Sequence, residues 1–151
     1  PVNLAPYPEG SIGVGEGGVW VITNNGGTDA GTLTQVDPVS GRILSDIPVH
    51  PQSHAVIVAF GSVWVTSTAE HRLMRIDPKS HRVVADIVTH ERPLFLAGGE
   101  GSIWVLCQGD GSLQRIDPTT NTVAVTLAPL TSGLPTLMSA PAPTRILSAM
   151  R

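Results

Sequence analysis

The fold is decided by one stretch, Gly61 to Ile87, which reads GSVWVTSTAEHRLMRIDPKSHRVVADI. Two further segments align with it: GSIWVLCQGDGSLQRIDPTTNTVAVTL over Gly101 to Leu127, and GGVWVITNNGGTDAGTLTQVDPVSGRILSDI over Gly17 to Ile47. The tryptophans fall at Trp20, Trp64 and Trp104, and the Asp-Pro pairs begin at Asp37, Asp77 and Asp117. The aspartates are 40 residues apart both times, and the tryptophans 44 and 40, so a four-residue insertion between Trp20 and Asp37 accounts for the difference. A fixed period of this length marks an array of one supersecondary unit, each copy burying its faces against its neighbours.

Each unit reads as four short strands. In the central copy, strand A runs from about Ala55 to Phe60, B from Val63 to Thr66, C from Arg72 to Ile76 and D from Arg82 to Ile87. Gly61-Ser62 and Gly101-Ser102 join A to B, and glycine at the first central position predicts a two-residue type II′ turn. The C-to-D connection is Asp-Pro-x-Ser/Thr-x, where Pro presets φ and the Asp carboxylate caps the turn. Gly41, His81 and Asn121 share the next position, and all three tolerate left-handed backbone, which predicts a bulge there. Runs such as VWV and AVIVAF have no polar face, as expected of a sheet packed on both sides. Four strands about every 40 residues, with Trp in the second, predict an all-β chain of three four-stranded antiparallel β-propeller blades.

The blades divide as residues 9–49, 50–89 and 90–127. Val2 to Leu4 align with the ends of strand D (Ile47, Ile87), so residues 1–8 read as the end of a preceding blade. Residues 128–151 are rich in Pro, Ser and Thr, and read as a tail or a degenerate blade. Propellers close with four to eight blades, so three leave the ring open. The expectation is a fragment or truncated product of a longer propeller; the other reading is a short chain that completes a ring by oligomerising. Open blade edges favour self-association in either case.

Composition removes several classes of function. Charged residues are only 14% of the 151, the net charge is −3 and the pI is near 5.9, so nothing neutralises phosphates in bulk and no nucleic-acid partner is expected. Basic residues are scattered, which also argues against an electrostatic membrane contact. No run of 18 apolar residues exists, so no transmembrane segment is expected. The single cysteine, Cys107, excludes an intrachain disulfide.

In a propeller the D-to-A and B-to-C loops emerge on one face, and function concentrates there because rigid blades hold variable loops. The insertion puts Asn24, Asn25 and Asp29 in the first B-to-C loop, where their oxygens suit a ligand or hard cation, although one carboxylate does not make a metal site. The D-to-A loops carry His50, His54, His90, Glu91 and Arg92. His50 matches His90 in the 40-residue register, while His54 matches Leu94 at the start of strand A, nearest the axis. Imidazoles and a carboxylate at a channel mouth suit metal binding or acid–base work, and solvated loop residues are the plainer reading. His50 and His90 belong to different blades, expected to be too far apart to share an ion. Glu70 with His71, and Asp110, occupy the other B-to-C loops. The three tryptophans read as packing between blades, the three Asp-Pro aspartates as turn formers, and Cys107 as a small buried side chain with no base beside it. No phosphate loop, CxxC, HExxH or G-x-S-x-G is present.

The strings GSVWVT…HRLMRIDPKSHRVVADI and GSIWV…GSLQRIDPTTNTVAVTL resemble bacterial YVTN-type and streptogramin-lyase-like (virginiamycin B lyase-like) β-propeller repeats over residues 9–127. The resemblance implies an often exported bacterial protein of six or seven blades, hence a periplasmic or secreted location. Streptogramin lyases open a cyclic depsipeptide ester by elimination, with magnesium and with His and Glu at the channel mouth. Their repeats carry Glu three positions after Trp, where this chain has Thr23, Ser67 and Cys107. Their inter-blade Pro-His-Gly is matched only by Pro51-Gln52-Ser53-His54. The reading is therefore a non-catalytic scaffold, without a cofactor, that binds a small molecule or protein through its D-to-A and B-to-C loops. The alternative is a magnesium-dependent C–O lyase of the streptogramin type, or a piece of one, with His54 as candidate base or ligand.

Overall fold

A computed structural model describes residues 3–4, 8–24 and 30–129. Val2, Asn25, Asp29 and residues 130–151, on which several of these expectations fall, lie outside them. Among the described residues, twelve strands form three four-stranded antiparallel sheets of consecutive strands. The first is β1 (Pro8–Gly15), β2 (Gly18–Asn24), β3 (Gly31–Val36) and β4 (Ile43–Val49); the second is β5 (Ser53–Ala59), β6 (Ser62–Ser67), β7 (Arg72–Asp77) and β8 (Arg82–Val88). The third is β9 (Pro93–Gly99), β10 (Ser102–Cys107), β11 (Ser112–Asp117) and β12 (Thr122–Leu127). These are the three expected blades, and among the described residues they do not close a ring. Among the described residues no helix is long and apolar enough to cross a membrane.

The A-to-B turns correct the sequence reading. Gly15 pairs with Gly18, Ala59 with Ser62 and Gly99 with Ser102, so the two-residue loops are Glu16-Gly17, Phe60-Gly61 and Glu100-Gly101. Both central residues have positive φ in every case, which is type I′ rather than II′, and glycine takes the second position. The hairpin register lies one residue earlier than the sequence suggested, because the residue before glycine accepts left-handed backbone to match the twist of the strands. The C-to-D turns follow expectation: Gly41, His81 and Asn121 all have positive φ, and a register shift follows each. The Asp37 carboxylate accepts hydrogen bonds from the amides of Val39 and Ser40 at 2.8 and 2.9 Å.

Burial shows how the blades stack. Trp20, Ile22 and Leu33 of the first blade pack with Val56, Val65, Met74 and Ile76 of the second. Trp64 and Leu73 of the second pack with Ile103, Val105, Cys107 and Ile116 of the third. Trp20 and Trp64 are therefore inter-blade residues as expected, both completely buried. Trp104 differs: its ring is only half buried, because no described blade lies beyond it. Each indole N–H donates to the carbonyl at the end of its own strand A: Gly15, Ala59 and Gly99.

A second device joins the blades at the turn side, and the sequence reading did not include it. His81 Nε2 lies 3.0 Å from Gln35 Oε1, so the second blade's turn reaches back to strand C of the first. At the equivalent place Arg75 donates to the Pro118 carbonyl and to Asn121 Oδ1, to the latter at 2.9 Å. Its guanidinium also lies 4.9 Å from the centre of the Trp64 ring, a cation–π contact over the inter-blade core.

Candidate functional site at the channel mouth

Strand A of every blade is interrupted by a bulge at its loop-face end. Pairing jumps from Pro8 to Ile12 in β1, from Ser53 to Val56 in β5 and from Pro93 to Phe95 in β9. A bulge bends the strand and re-aims the residue inside it. The re-aimed residues are Gly10, His54 and Leu94, which occupy one register position in three blades. The amides released from the ladder are satisfied locally: Ala55 N donates to Thr66 Oγ1 at 3.0 Å and Val56 N to Ser11 Oγ at 2.8 Å. Ser11 Oγ in turn donates to the Val56 carbonyl, pinning the first inner strand to the second.

The three bulges enclose a cavity of about 380 Å³, lined by Gly10, Ser11, His54, Ala55, Leu94 and their neighbours Phe95 and Leu96. Above it lies a mouth pocket of about 390 Å³, which shares His54 and Leu94 and adds Gln52, Thr68, Arg92 and Gln108. Gln52 and Arg92 are non-glycine residues held at φ near +50°, one register position apart by 40 residues. Their carbonyls accept from Thr68 N and Gln108 N at 3.1 and 2.9 Å, so one backbone device presents both side chains at the mouth. The loop before β5 is tied down by Ser67 Oγ donating to Pro51 O at 2.6 Å and Ser53 Oγ to His50 O at 2.8 Å. Asn24 contributes to the same support: it is buried, and its amide donates to the Ser53 carbonyl at 2.8 Å.

The remaining candidates lie elsewhere. His50 pairs with Asp86 of the second blade at 2.9 Å. His90 Nδ1 meets Asp110 Oδ2 at 2.6 Å, and Ser112 Oγ donates to the other carboxylate oxygen at 2.7 Å. The two histidines thus have separate carboxylate partners and do not converge. His90 and Glu91 instead line a rim groove of about 490 Å³ with Glu70, His71, Arg72 and Asp110. His71 Nδ1 accepts from the Arg92 amide at 3.0 Å, which sets its tautomer and couples the groove to the mouth. Cys107 is buried, and burial first, then the Asp110 charge, raises its thiol pKa, which disfavours the thiolate.

Chemically, the mouth offers one guanidinium, one imidazole, two amides and the hydroxyls of Ser53 and Thr68 beside the apolar Leu94, with no carboxylate among its lining residues. Magnesium favours carboxylate and water oxygens. Neither this donor set nor any group of His, Cys, Asp and Glu among the described residues fits a metal. Among the described residues His54 has no acid partner to orient it as a base. The sequence reading named His54 and Arg92, and its loop from His50 to His54 takes in Gln52; Thr68 and Gln108 of the B-to-C loops it did not single out. Applying the 40-residue shift to the B-to-C loops would have found that pair.

Acid should weaken the blades in a defined window. Hydrogen bonds from the Ser112 hydroxyl and amide, then His90, hold Asp110 down to about 2. Amides and hydroxyls of the turns likewise lower Asp37, Asp77 and Asp117 below 3.8. Because the folded-state values are depressed, their contribution is present above pH 3.8 and disappears as pH falls toward 2. Urea midpoints measured from pH 6 to 2 should decline below about pH 4, and Asp110→Asn should flatten part of that decline. A midpoint independent of pH in this range would contradict the assignment.

No family model and no curated protein sequence matches the chain. Solved structures do match. The chain aligns with hydrazine synthase of Kuenenia stuttgartiensis at TM-score 0.73 and 15% identity, over 82% of this chain and 36% of that one. It aligns with BamB of Moraxella catarrhalis at TM-score 0.64 and 18% identity, over 80% and 37%. For glutaminyl cyclase of Myxococcus xanthus the values are 0.57 and 15%, over 89% and 59%. The chain thus spans little more than a third of the first two proteins. At these identities the likeness is one of fold, a β-propeller.

Proposed function

We propose that this chain is a binding scaffold whose loop-face mouth takes a small ligand bearing an anionic group, a carboxylate first among them. The observation that carries this is the convergence of His54, Arg92, Gln52, Thr68 and Gln108 on one pocket that contains a cation and no anion. The Arg92 guanidinium makes no hydrogen bond among the described residues, while its backbone is clamped at both ends by His71 and Gln108. A fixed backbone with an uncommitted guanidinium is the geometry that recognises carboxylates bidentately. The apolar wall, Leu94 above Leu96, suits the body of such a ligand. The resemblance of the repeats to YVTN-type and streptogramin-lyase-like propellers supports a role exercised at this face. The lyase alternative gains nothing from the mouth, which lacks the carboxylate that magnesium needs.

The test is calorimetric titration of the chain with aliphatic and aromatic mono- and dicarboxylates, beside their neutral amides. Carboxylates should bind and amides should not. Arg92→Ala should weaken binding about tenfold to a hundredfold, the loss of one charge-assisted contact. Steady turnover of any ligand by the purified chain, or equal binding by the amides, would sink the proposal.

A further inference from the structure

The two halves of the mouth come from different blades. Gln52, Ser53, His54 and Thr68 belong with the second, and Arg92, Leu94 and Gln108 with the third. The loop that carries Arg92 is fixed to the third blade through its carbonyls. Glu91 O accepts from Gly109 N at 3.0 Å, and Arg92 O from Gln108 N at 2.9 Å. The Arg92 amide instead donates to the second blade, to His71 Nδ1 at 3.0 Å. That bond spans the two halves at the residue that supplies the guanidinium.

His71 is itself held in place for this. Its carbonyl accepts from Thr89 N at 3.0 Å, which ties the B-to-C tip to the end of strand D in its own blade. His71 has φ of +54° and Arg92 of +53°, so two residues with side chains meet across the blades in left-handed backbone. One 40-residue period after His71 the chain has Gly111, with φ of +73°. Glycine takes that geometry without strain, whereas a side-chain residue does not. The second blade thus keeps an imidazole where the third has glycine, and uses its nitrogen beside the mouth. Strained backbone of this kind gathers at ligand clamps.

We propose that His71 is a positioning residue for the mouth: its unprotonated Nδ1 holds the Arg92 amide and so fixes where the guanidinium meets a carboxylate. This rests on the reading of the mouth as a carboxylate site. A neutral imidazole with its proton on Nε2 accepts at Nδ1, but a protonated ring carries donors on both nitrogens. Acid therefore sets one N–H against another, frees Arg92 from the second blade and weakens binding while the ligand is still ionised. The charged and titratable groups around the ring are Glu70, Arg72, His90, Glu91, Arg92 and Asp110. His90 Nδ1 is engaged by Asp110 at 2.6 Å, and neither bonds the Arg92 amide. His54 acts with the opposite sign, since its proton adds positive charge inside the mouth.

The test uses benzoate, with benzamide as the neutral control, in calorimetric titrations at pH 8 and about pH 5.5, across which imidazoles gain their proton and carboxylates stay ionised. In a His54→Gln background, benzoate affinity should fall about two- to tenfold on acidification, the worth of one hydrogen bond. His71→Asn places an amide oxygen where Nδ1 stood, tolerates the left-handed backbone and cannot be protonated. It should bind as the parent does at pH 8 and keep that affinity at about pH 5.5. His71→Gly, unstrained at this φ, should already bind about two- to tenfold more weakly at pH 8. His90→Gln should leave the pH profile as it was. In the ligand-free chain, the Arg92 amide resonance should shift with pH in the wild type and not in His71→Asn. Benzoate binding that His71→Gly leaves unchanged, or a pH profile that survives His71→Asn, would overturn the positioning role alone. An Arg92 amide that follows pH in a chain that binds no carboxylate at pH 8 would instead overturn the proposed function, and with it the role of His71 at this site.

Discussion

Replacing Trp64 with alanine should lower the unfolding free energy by about 3–5 kcal/mol, the largest loss expected of any single truncation in this chain. The indole is completely buried between the second and third blades, against Ile103, Val105 and Ile116. Its N–H closes the A-to-B hairpin through the Ala59 carbonyl at 3.0 Å. Its face carries the Arg75 guanidinium, which in turn holds the third blade's turn. Alanine therefore opens a cavity, frees a carbonyl and removes the surface that orients the inter-blade clasp. Trp104→Ala makes the same chemical change on a partly exposed ring and should cost less, about 1–2 kcal/mol. Urea unfolding followed by circular dichroism reads both. Equal losses at the two positions would mean that the tryptophans act within their own blades and not between them.

Gly10→Ala should disturb stability and binding together. Gly10 has φ of +87°, and a Cβ built on it falls 1.6 Å from the His54 carbonyl oxygen and 2.6 Å from its carbon. Those are backbone atoms, so no side-chain rotation relieves the overlap; the first bulge must move off the second. Strain at positive φ adds about 1 kcal/mol, and the displaced contact brings the expected loss to roughly 2 kcal/mol or more. Since His54 lies in both cavities, carboxylate affinity should fall as well. Gly17→Ala separates the two effects: φ is +75° but nothing lies within 4 Å of the added carbon. That variant should lose only the backbone contribution, about 1 kcal/mol, with ligand affinity intact. Gly10→Ala behaving like Gly17→Ala would show that the bulges are not held against each other.

The blades were legible because their signals are local and repeated. Trp in strand B, Asp-Pro before the turn and a left-handed position after it recur at one spacing, so three weak patterns reinforce one another. The A-to-B turn type escaped because Gly-Ser and Phe-Gly or Glu-Gly differ by a single register step, which sequence alone does not resolve. The candidate site was legible only in part. His54 could be placed near the axis by counting. Counting could not separate His50 and His90, each drawn to its own carboxylate, from the mouth residues, because those pairings cross between elements.

Strand order, blade period, tryptophan layer and C-to-D turn chemistry were all set by the sequence, being properties of residues within about 40 positions of each other. Only the tertiary structure decided which loop residues meet at the mouth, since three bulges re-aim Gly10, His54 and Leu94 toward a common axis. It also decided that the buried Asn24 amide holds the Ser53 carbonyl of the next blade, and that Arg75 reaches across to the Pro118 carbonyl of the third. The physical reason is the same in each case: a hydrogen-bond partner supplied by the neighbouring blade carries no trace in the local pattern, and only stacking the sheets reveals which groups it satisfies.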